Sequence, residues 1–395
     1  MKITGKKKKR TALRITAAVL LPVIFAAAVM CNNFLPRDFA DFYCQKIFPY
    51  LSVPMQSFNM FFQFSLTENI VICGVPLLIT GIIIWLIFLI KKFLSRGALT
   101  YLYKSFRNVM ILGIVFAIIF QLMHGINYRR TRVTEELDFV TDDLTYEDYV
   151  EALQWAYVGM IEARSHLGED YNGVAHMQES FENSATFACS LLDSFSEKYD
   201  IPLSRNFVRA KPVSMSHYWS YTHIVGMYDP FLAEANINTD HMGVEEFPIT
   251  ICHELCHSKG YASETDCNIL AALACCSSSR ADFRYAGYYE IFWNLYYVTN
   301  DIAKKTGNKV LEYGSTNDMQ PVIRDARATA RYWNRIDDEV EAIRKKLGID
   351  IAEASNNAND AFLKSNGEKG VESYTVPDSV YVRFYLTHVK VTADA

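Results

Sequence analysis

The sequence predicts a membrane-anchored, mainly α-helical protein in which three N-terminal transmembrane helices precede an α-rich domain with a small β-sheet. Two observations support this fold class. Half of the 395 residues are hydrophobic while 21% are charged, which is too many charges for a purely membrane-embedded bundle. The apolar residues are also concentrated in the first third of the chain, which argues against one uniform soluble domain. We therefore predict a transmembrane region over residues 1–128 and a globular domain over residues 129–395.

Three apolar runs in the first region are long enough to cross a bilayer, whose hydrocarbon core takes roughly 20 helical residues to span. They predict transmembrane helices over about residues 13–32, 69–90 and 108–125. The first run follows the basic residues 6–10, as in a secretory signal peptide. Because no small-residue cleavage site follows Met30, we interpret this run as a retained span.

The distribution of lysine and arginine predicts the orientation of these spans. Basic residues precede the first run and lie between the second and third runs, and such residues are retained on the cytoplasmic side. Arg129, Arg130 and Arg132 favour the opposite orientation, but a long following domain can be translocated despite nearby positive charge. We therefore expect a multi-pass protein of the cell membrane, with the lipid bilayer as a partner and the globular domain outside the cytoplasm.

Hydrophobic periodicity and turn residues predict six main helices and two short strands in the globular domain. The first helix has Asp142 or Thr145 as its cap. The polar residues 349–370 predict a loop with at most a short helix, and the more apolar residues 362–386 are expected to pack back onto the domain. The helices cover residues 146–167, 177–199, 248–260, 263–276, 287–304 and 324–347, and the strands cover residues 223–228 and 234–238.

One five-residue segment carries recognisable chemistry, His253-Glu254-Leu255-Cys256-His257. Two histidines four residues apart project from one face of a helix and can bind the same metal ion. Catalytic zinc takes three protein ligands and leaves the fourth position for water, from which Glu254 is placed to accept a proton. The pattern predicts His253 and His257 as zinc ligands and Glu254 as the catalytic base. The alternative is a pair of ordinary histidines beside a solvated carboxylate.

The identity of the third ligand is open between Glu264 and Asp266. Glu264 shares a helix face with Asn268, whereas Asp266 points nearly opposite and can form a capping box with Ser263. This facing favours Glu264 as the ligand, with Asn268 orienting a ligand histidine from behind. Glu264 also has an alternative role, since a carboxylate in the first turn of a helix is stabilised by the helix dipole.

Several segments around the motif resemble an uncharacterised bacterial family of membrane proteins with a domain of unknown function, described as predicted zinc-dependent peptidases. More distantly, the chain resembles gluzincins, in which two histidines and a glutamate bind zinc. The resemblances imply a zincin-like metallohydrolase domain, with peptide or protein substrates lying along the strand at residues 223–228. Tyr285, Tyr288 and His223 are candidate oxyanion donors. The resembling segments are residues 124–128, 226–238, 247–252, 264–268, 285–288 and 365–374.

Composition limits the other functions open to this chain. A net charge of −5 and a pI near 6.0 give no basic balance for binding nucleic acid, so we expect no such partner. The nine cysteines are not spaced as a disulfide framework, and we interpret them as buried apolar residues on packed helices. We predict a membrane-anchored zinc metallopeptidase. The alternative is a zinc-binding membrane sensor or scaffold without catalytic activity.

Overall fold

The computed structural model describes residues 2–95, 97–314 and 316–391, with side chains described from Thr11 onward. These residues form a mainly helical fold with a small sheet, which confirms the predicted fold class at that level. The helices of the first third are α1 (Lys2–Met30), α2 (Arg37–Lys46), α3 (Phe48–Asn59), α4 (Leu66–Leu94) and α5 (Ala98–Met123). The remaining elements are α6 (Val133–Glu136), α7 (Tyr146–Ser165), α8 (Phe181–Lys198), β1 (Lys211–Pro212), α9 (Ser216–Ser220), β2 (Gly226–Asp229), β3 (Glu234–Ile237), α10 (Phe247–Ser258), α11 (Glu264–Cys276), α12 (Ala281–Thr306), α13 (Met319–Leu347), α14 (Ile351–Ser365) and α15 (Asp378–Phe384).

Three helical segments are long and apolar enough to cross a membrane, which confirms the number of spans predicted. They cover Thr11–Phe34, Leu66–Leu94 and Ala98–Met123. The second span begins earlier than predicted because Ser65 caps it, accepting a hydrogen bond from the backbone nitrogen of Glu68 at 2.9 Å. Many of the apolar side chains along the spans are exposed, as expected for surfaces that face lipid.

The segment between the first two spans, for which we predicted no secondary structure, folds into α2 and α3 and packs against the globular domain. Gln56 Nε2 donates to the backbone oxygen of Ser258 at 2.8 Å, at the end of α10. The backbone nitrogen of Thr131 donates to the carboxylate of Asp41 at 2.7 Å. This segment and the globular domain therefore lie on the same side of the three spans.

The small sheet is attached to the start of the second span through buried carboxylates. Glu234 of β3 accepts hydrogen bonds from the backbone nitrogen of Thr67 at 2.8 Å and from Lys211 Nζ at 2.6 Å. Glu68 in turn accepts from the backbone nitrogens of Ser214 at 2.9 Å and Met215 at 2.6 Å. Negative charge at the first turn of a helix is stabilised by the helix dipole. The sheet is thereby fixed beside the membrane-facing end of the domain.

The sheet has three strands in the order β1-β3-β2, with β2 antiparallel and β1 parallel to β3. The two predicted strands are found. The third strand, β1, has only two residues and is too short to recognise in the sequence. The strand predicted from residue 223 begins only at Gly226, because His223 has a φ of 57°, which is incompatible with an extended strand. Among the described residues, β2 has no strand on its outer side and is an edge strand.

The main hydrophobic core lies between α7, α8, α10, α11 and α12. Thr145 and Asp148 form a reciprocal capping box at the start of α7, so Thr145 rather than Asp142 is the cap. Helix α12 begins at Ala281, before the predicted residue 287. Gly287 therefore does not start this helix. It lies inside it and allows close packing on α11, because a Cβ there would come within 2.6 Å of the backbone nitrogen of Cys276.

The C-terminal region and the cysteines complete this core. Helix α14 has 15 residues and is longer than the short helix expected there, whereas Tyr381 of α15 is fully buried, which confirms that the tail packs back onto the domain. Seven cysteines are buried, Cys31 and Cys73 are exposed, and all are free thiols in the described part of the chain. The interpretation of most cysteines as buried residues on packed helices is confirmed.

Candidate metal centre

The two halves of the candidate centre are the end of α10 and the start of α11. Pro248 lies in the first turn of α10, where its missing N–H costs no helical hydrogen bond. The chain leaves this helix through Gly260, whose φ of +102° favours glycine. Ser263 then caps α11 by accepting from the backbone nitrogen of Asp266. The tight turn brings the first residue of α11, Glu264, back against the last turns of α10.

His253, His257 and Glu264 are brought together by this turn, and all three are buried. The Nε2 atoms of the two histidines are 3.1 Å apart. Oε2 of Glu264 lies 3.0 Å from the Nε2 atom of His253 and 3.5 Å from that of His257. Ligand atoms about 2.0–2.1 Å from a tetrahedral zinc ion lie roughly 3.3 Å apart. The spacing of the three atoms therefore suits a zinc ion placed between them.

Each histidine is oriented by a hydrogen bond at its other ring nitrogen. Nδ1 of His253 donates to Oδ1 of Asn268 at 2.7 Å, and Nδ1 of His257 donates to the backbone oxygen of Tyr261 at 2.9 Å. Both partners are acceptors, so these bonds leave the Nε2 lone pairs directed at Glu264. Such bonds fix the tautomer that binds metal. Asn268 occupies the supporting position that its spacing predicted.

The Tyr261 side chain and the neighbouring Gly260 are contacted by a buried arginine. The guanidinium of Arg130 lies 3.5 Å from the centroid of the Tyr261 ring and donates to the backbone oxygen of Gly260 at 2.9 Å. The Tyr261 hydroxyl donates to Glu136, which is also paired with Arg130. The turn between α10 and α11 is therefore clamped by residues that directly follow the third span.

Asp266, the competing candidate for third ligand, lies away from the histidines. Its carboxylate accepts hydrogen bonds from Arg132 Nη1 and from the backbone nitrogen of Val133, both at 3.2 Å. The reciprocal half of the proposed capping box with Ser263 is not formed by Asp266 in the described contacts, because this carboxylate is engaged with α6. Of the two acidic residues, only Glu264 is positioned beside the paired imidazoles.

Glu254 is buried next to the triad, and its Oε2 atom has no hydrogen-bond partner in the described part of the chain. A Cβ at Gly226, the first residue of β2, would come within 2.6 Å of Glu254 Oε1, so only glycine lets the edge strand approach so closely. Burial raises the pKa of the Glu254 carboxyl above its ordinary value, although the two neighbouring histidines act in the opposite direction. An unpaired carboxylate oxygen here is free to accept a proton from a substrate or water.

The charges within the triad test whether these residues fit a cation. Burial alone would raise the pKa of Glu264, but His257 and His253 outweigh it and hold that pKa well below the usual range. Burial lowers the pKa of His257, but the charge of Glu264 outweighs this effect and raises it to about 9. Without a metal ion, the Glu264 carboxylate therefore favours a proton on His257, so the cluster accommodates positive charge. A divalent metal ion would take the place of that proton, and two imidazole nitrogens with one carboxylate oxygen are a donor set that fits zinc.

The sequence pattern of a protein family described as "Protein of unknown function (DUF3810)" matches residues 43–377, which is well over half of the chain. The chain belongs to this family. Searches of curated proteins and of solved structures gave no match. Membership confirms the resemblance to an uncharacterised family. The resemblance to gluzincins stays a prediction, and so does the zincin-like fold of the globular domain. The family description assigns no activity, so the function of this DUF3810 chain must be argued from its own residues.

Three further polar groups of this DUF3810 chain surround the triad, and the sequence analysis missed them as site residues. The ring of His124, the first residue after α5, lies 5.7 Å from that of His257, and Tyr228 of β2 stacks on His257 at 6.0 Å. Tyr128 contacts the His124 ring at 5.2 Å. His124 Nδ1 and both tyrosine hydroxyls are buried without hydrogen-bond partners in the described residues. Nothing in their local sequence indicated this position.

The three oxyanion donors considered from the sequence are engaged elsewhere. The Tyr285 hydroxyl donates to Asp325 at 2.9 Å, and His223 is paired with Asp337 at 2.9 Å. Tyr288 packs edge-on against Trp155 with ring centroids 5.4 Å apart. Their contacts are those of packing and surface residues.

A cavity lies beside the first half of α10. Thr250 lines it from α10, one turn before Glu254. Glu246 lines it from the residue before α10, and Val225 from the residue before β2. The aromatic rings of Tyr332 and Trp333 close its far wall. The cavity therefore lies about one turn of α10 before Glu254.

Proposed function

We propose that this protein is a membrane-anchored, zinc-dependent peptidase. Nε2 of His253, Nε2 of His257 and the carboxylate of Glu264 would hold the metal. The observation that carries the proposal is the spacing of these three buried atoms, 3.0, 3.1 and 3.5 Å, with each histidine oriented by a separate hydrogen bond behind it.

When bound, zinc supplies a Lewis acid that polarises a carbonyl group and lowers the pKa of water to about 7. Glu254 supplies the base, because its unpartnered Oε2 can accept the proton of the attacking water and deliver it to the leaving nitrogen. Tyr128, Tyr228 and His124 offer buried polar atoms without partners, from which the carbonyl oxygen can receive a hydrogen bond as its charge develops.

A peptide substrate is supported by the edge strand. β2 has no strand on its outer side among the described residues, and an extended peptide can pair with such an edge through main-chain hydrogen bonds. Gly226 brings that edge against Glu254. A peptide paired there would pass the general base, and the neighbouring cavity lined by Val225 and Trp333 would accept one of its side chains.

The test uses the whole chain in detergent, because the predicted globular domain, residues 129–395, would lack His124 and Tyr128. Bound metal is measured by mass spectrometry, and hydrolysis is measured with a degenerate quenched-fluorescent peptide library. We expect one zinc ion per chain, with hydrolysis that Glu254→Gln abolishes while zinc is retained. Glu341→Gln, at a partly exposed position on α13, is the matched control and should behave as wild type.

Three results would each contradict a different part of this proposal. Folded protein that binds no zinc would contradict the metal centre itself. Zinc-loaded protein that cleaves no peptide would favour the alternative of a zinc-binding sensor or scaffold. Hydrolysis that survives Glu254→Gln would remove the base from the mechanism.

A further inference from the structure

We propose that the substrate is a polypeptide anchored in the same membrane, which this centre cuts a few residues from the point where the polypeptide leaves the bilayer. This inference rests on the proposed peptidase function and adds the class of substrate. Four observations support it: the depth of the centre, the contacts of the globular domain with the third span, an exposed apolar surface before the second span, and the direction of β2.

The metal centre lies at the end of a membrane span. The apolar helix α5 ends at Met123, and the ring of the next residue, His124, lies 5.7 Å from the His257 ring. Each headgroup layer of a bilayer is roughly 5–8 Å thick, the difference between its full thickness and its hydrocarbon core. The centre is therefore at the depth of the headgroups rather than far out in solution.

Two aromatic residues of the globular domain reach deeper than the centre. Phe362 of α14 contacts Phe120 with ring centroids 5.7 Å apart, and Phe231, in the turn after β2, contacts Phe116 at 5.4 Å. At 1.5 Å per residue, Phe116 lies about 10 Å along the helix from Met123, inside the hydrocarbon region. The domain is thus partly sunk into the membrane surface at two contacts with the third span.

A second apolar surface lies next to these contacts. The end of α3 and the connection to α4, which directly precede the second span, expose Phe58, Phe61 and Phe64 by 51%, 85% and 50%. Exposed aromatic residues at such a position are stabilised by insertion at the membrane interface. Because this segment and the centre lie on the same side of the spans, the face around the centre is suited to lipid.

The edge strand connects the general base to the membrane. β2 begins at Gly226 against Glu254 and ends at Asp229, and the turn that follows places Phe231 on the third span. A strand of this length covers about 13 Å. An extended peptide paired with β2 would therefore run from the scissile bond to the hydrocarbon surface within about four or five residues. This geometry suits a chain that emerges from the bilayer beside α5.

The experiment reconstitutes the full zinc-loaded chain in lipid nanodiscs with a synthetic probe. The probe has a span of about 20 leucine and alanine residues, followed by roughly 25 randomised polar residues, enough to reach about 80 Å from the bilayer. The same randomised segment without the span is the soluble probe. Cut positions are mapped by mass spectrometry, with Glu254→Gln as the inactive control. Position is the decisive readout, because confinement to one membrane raises the rate for any anchored probe.

We expect the cuts to lie within about three to eight residues of the span and the soluble probe to be cut at least about tenfold more slowly. Cuts spread evenly along the anchored segment, or equal rates for the two probes, would overturn this inference while leaving the peptidase function intact. If zinc-loaded wild-type protein cuts neither probe nor the degenerate library, both the function and the inference are overturned.

Discussion

The α10–α11 pair and the segment that follows the third span both build the candidate centre, but by different means. In the α10–α11 pair, helical spacing and one tight turn bring the ligands together. The ligands and Asn268 all lie between residues 253 and 268. The segment after the third span supplies His124, Tyr128 and Arg130, which precede α10 by more than a hundred residues. The comparison teaches that the metal ligands are a local property, whereas their support depends on how the membrane region docks.

The largest effect is expected from a substitution in the segment after the third span that changes no metal ligand. Arg130→Ala should destabilise the fold by about 3 kcal/mol, because it leaves the partly buried Glu136 carboxylate without its charged partner. It also frees the backbone oxygen of Gly260, to which Arg130 donates at 2.9 Å. Thermal unfolding in detergent measures the effect. Arg129→Ala is the control, since Arg129 is exposed and should change stability by no more than about 0.5 kcal/mol. Equal effects of the two substitutions would mean that the clamp contributes nothing.

The second test compares the two acidic residues at the start of α11. Glu264→Ala should weaken zinc binding by more than about 100-fold, a larger loss than that seen when a supporting residue is removed. Asp266→Asn should retain zinc, because the Asp266 carboxylate faces Arg132 at 3.2 Å and not the histidines. Metal titration against a chelator gives both affinities. The opposite result, with zinc lost only in the Asp266 variant, would reassign the third ligand.

What the sequence could and could not predict follows from the range of the contacts. The spans, the capping of α7 by Thr145 and the approach of Glu264 to the paired histidines depend on apolar length, helical periodicity and a short turn. The two-residue strand β1 and the helices α2 and α3 depend on pairing with distant segments. His124 and Tyr128 entered only through the resembling segment at residues 124–128. Their position beside the triad depends on the packing of the end of α5 against α10. A contact between two such distant segments leaves no pattern in the local sequence of either one.

A smaller effect should sharpen the distinction between ligand and support. Asn268→Ala removes the acceptor that His253 Nδ1 reaches at 2.7 Å, which should lower zinc affinity by roughly 10–100-fold. Asn308→Ala, at an exposed position after α12, is the matched control and should leave zinc affinity unchanged. Isothermal titration against a competing chelator measures both. An Asn268→Ala variant with wild-type affinity would show that the orientation of His253 is fixed by packing alone.

The smallest expected effect separates the stability of the domain from the metal centre. Thr145 accepts from the backbone nitrogen of Asp148, and its own backbone nitrogen donates to the Asp148 carboxylate at 2.8 Å. Thr145→Ala should therefore cost about 1 kcal/mol of folding free energy, measured as a lower thermal midpoint of the metal-free protein. Zinc affinity of the folded protein should stay at the wild-type value, because α7 supplies no ligand and no hydrogen bond to the triad. A change in zinc affinity as large as that of Asn268→Ala would show that the centre is coupled to the whole domain rather than to the turn and its clamp.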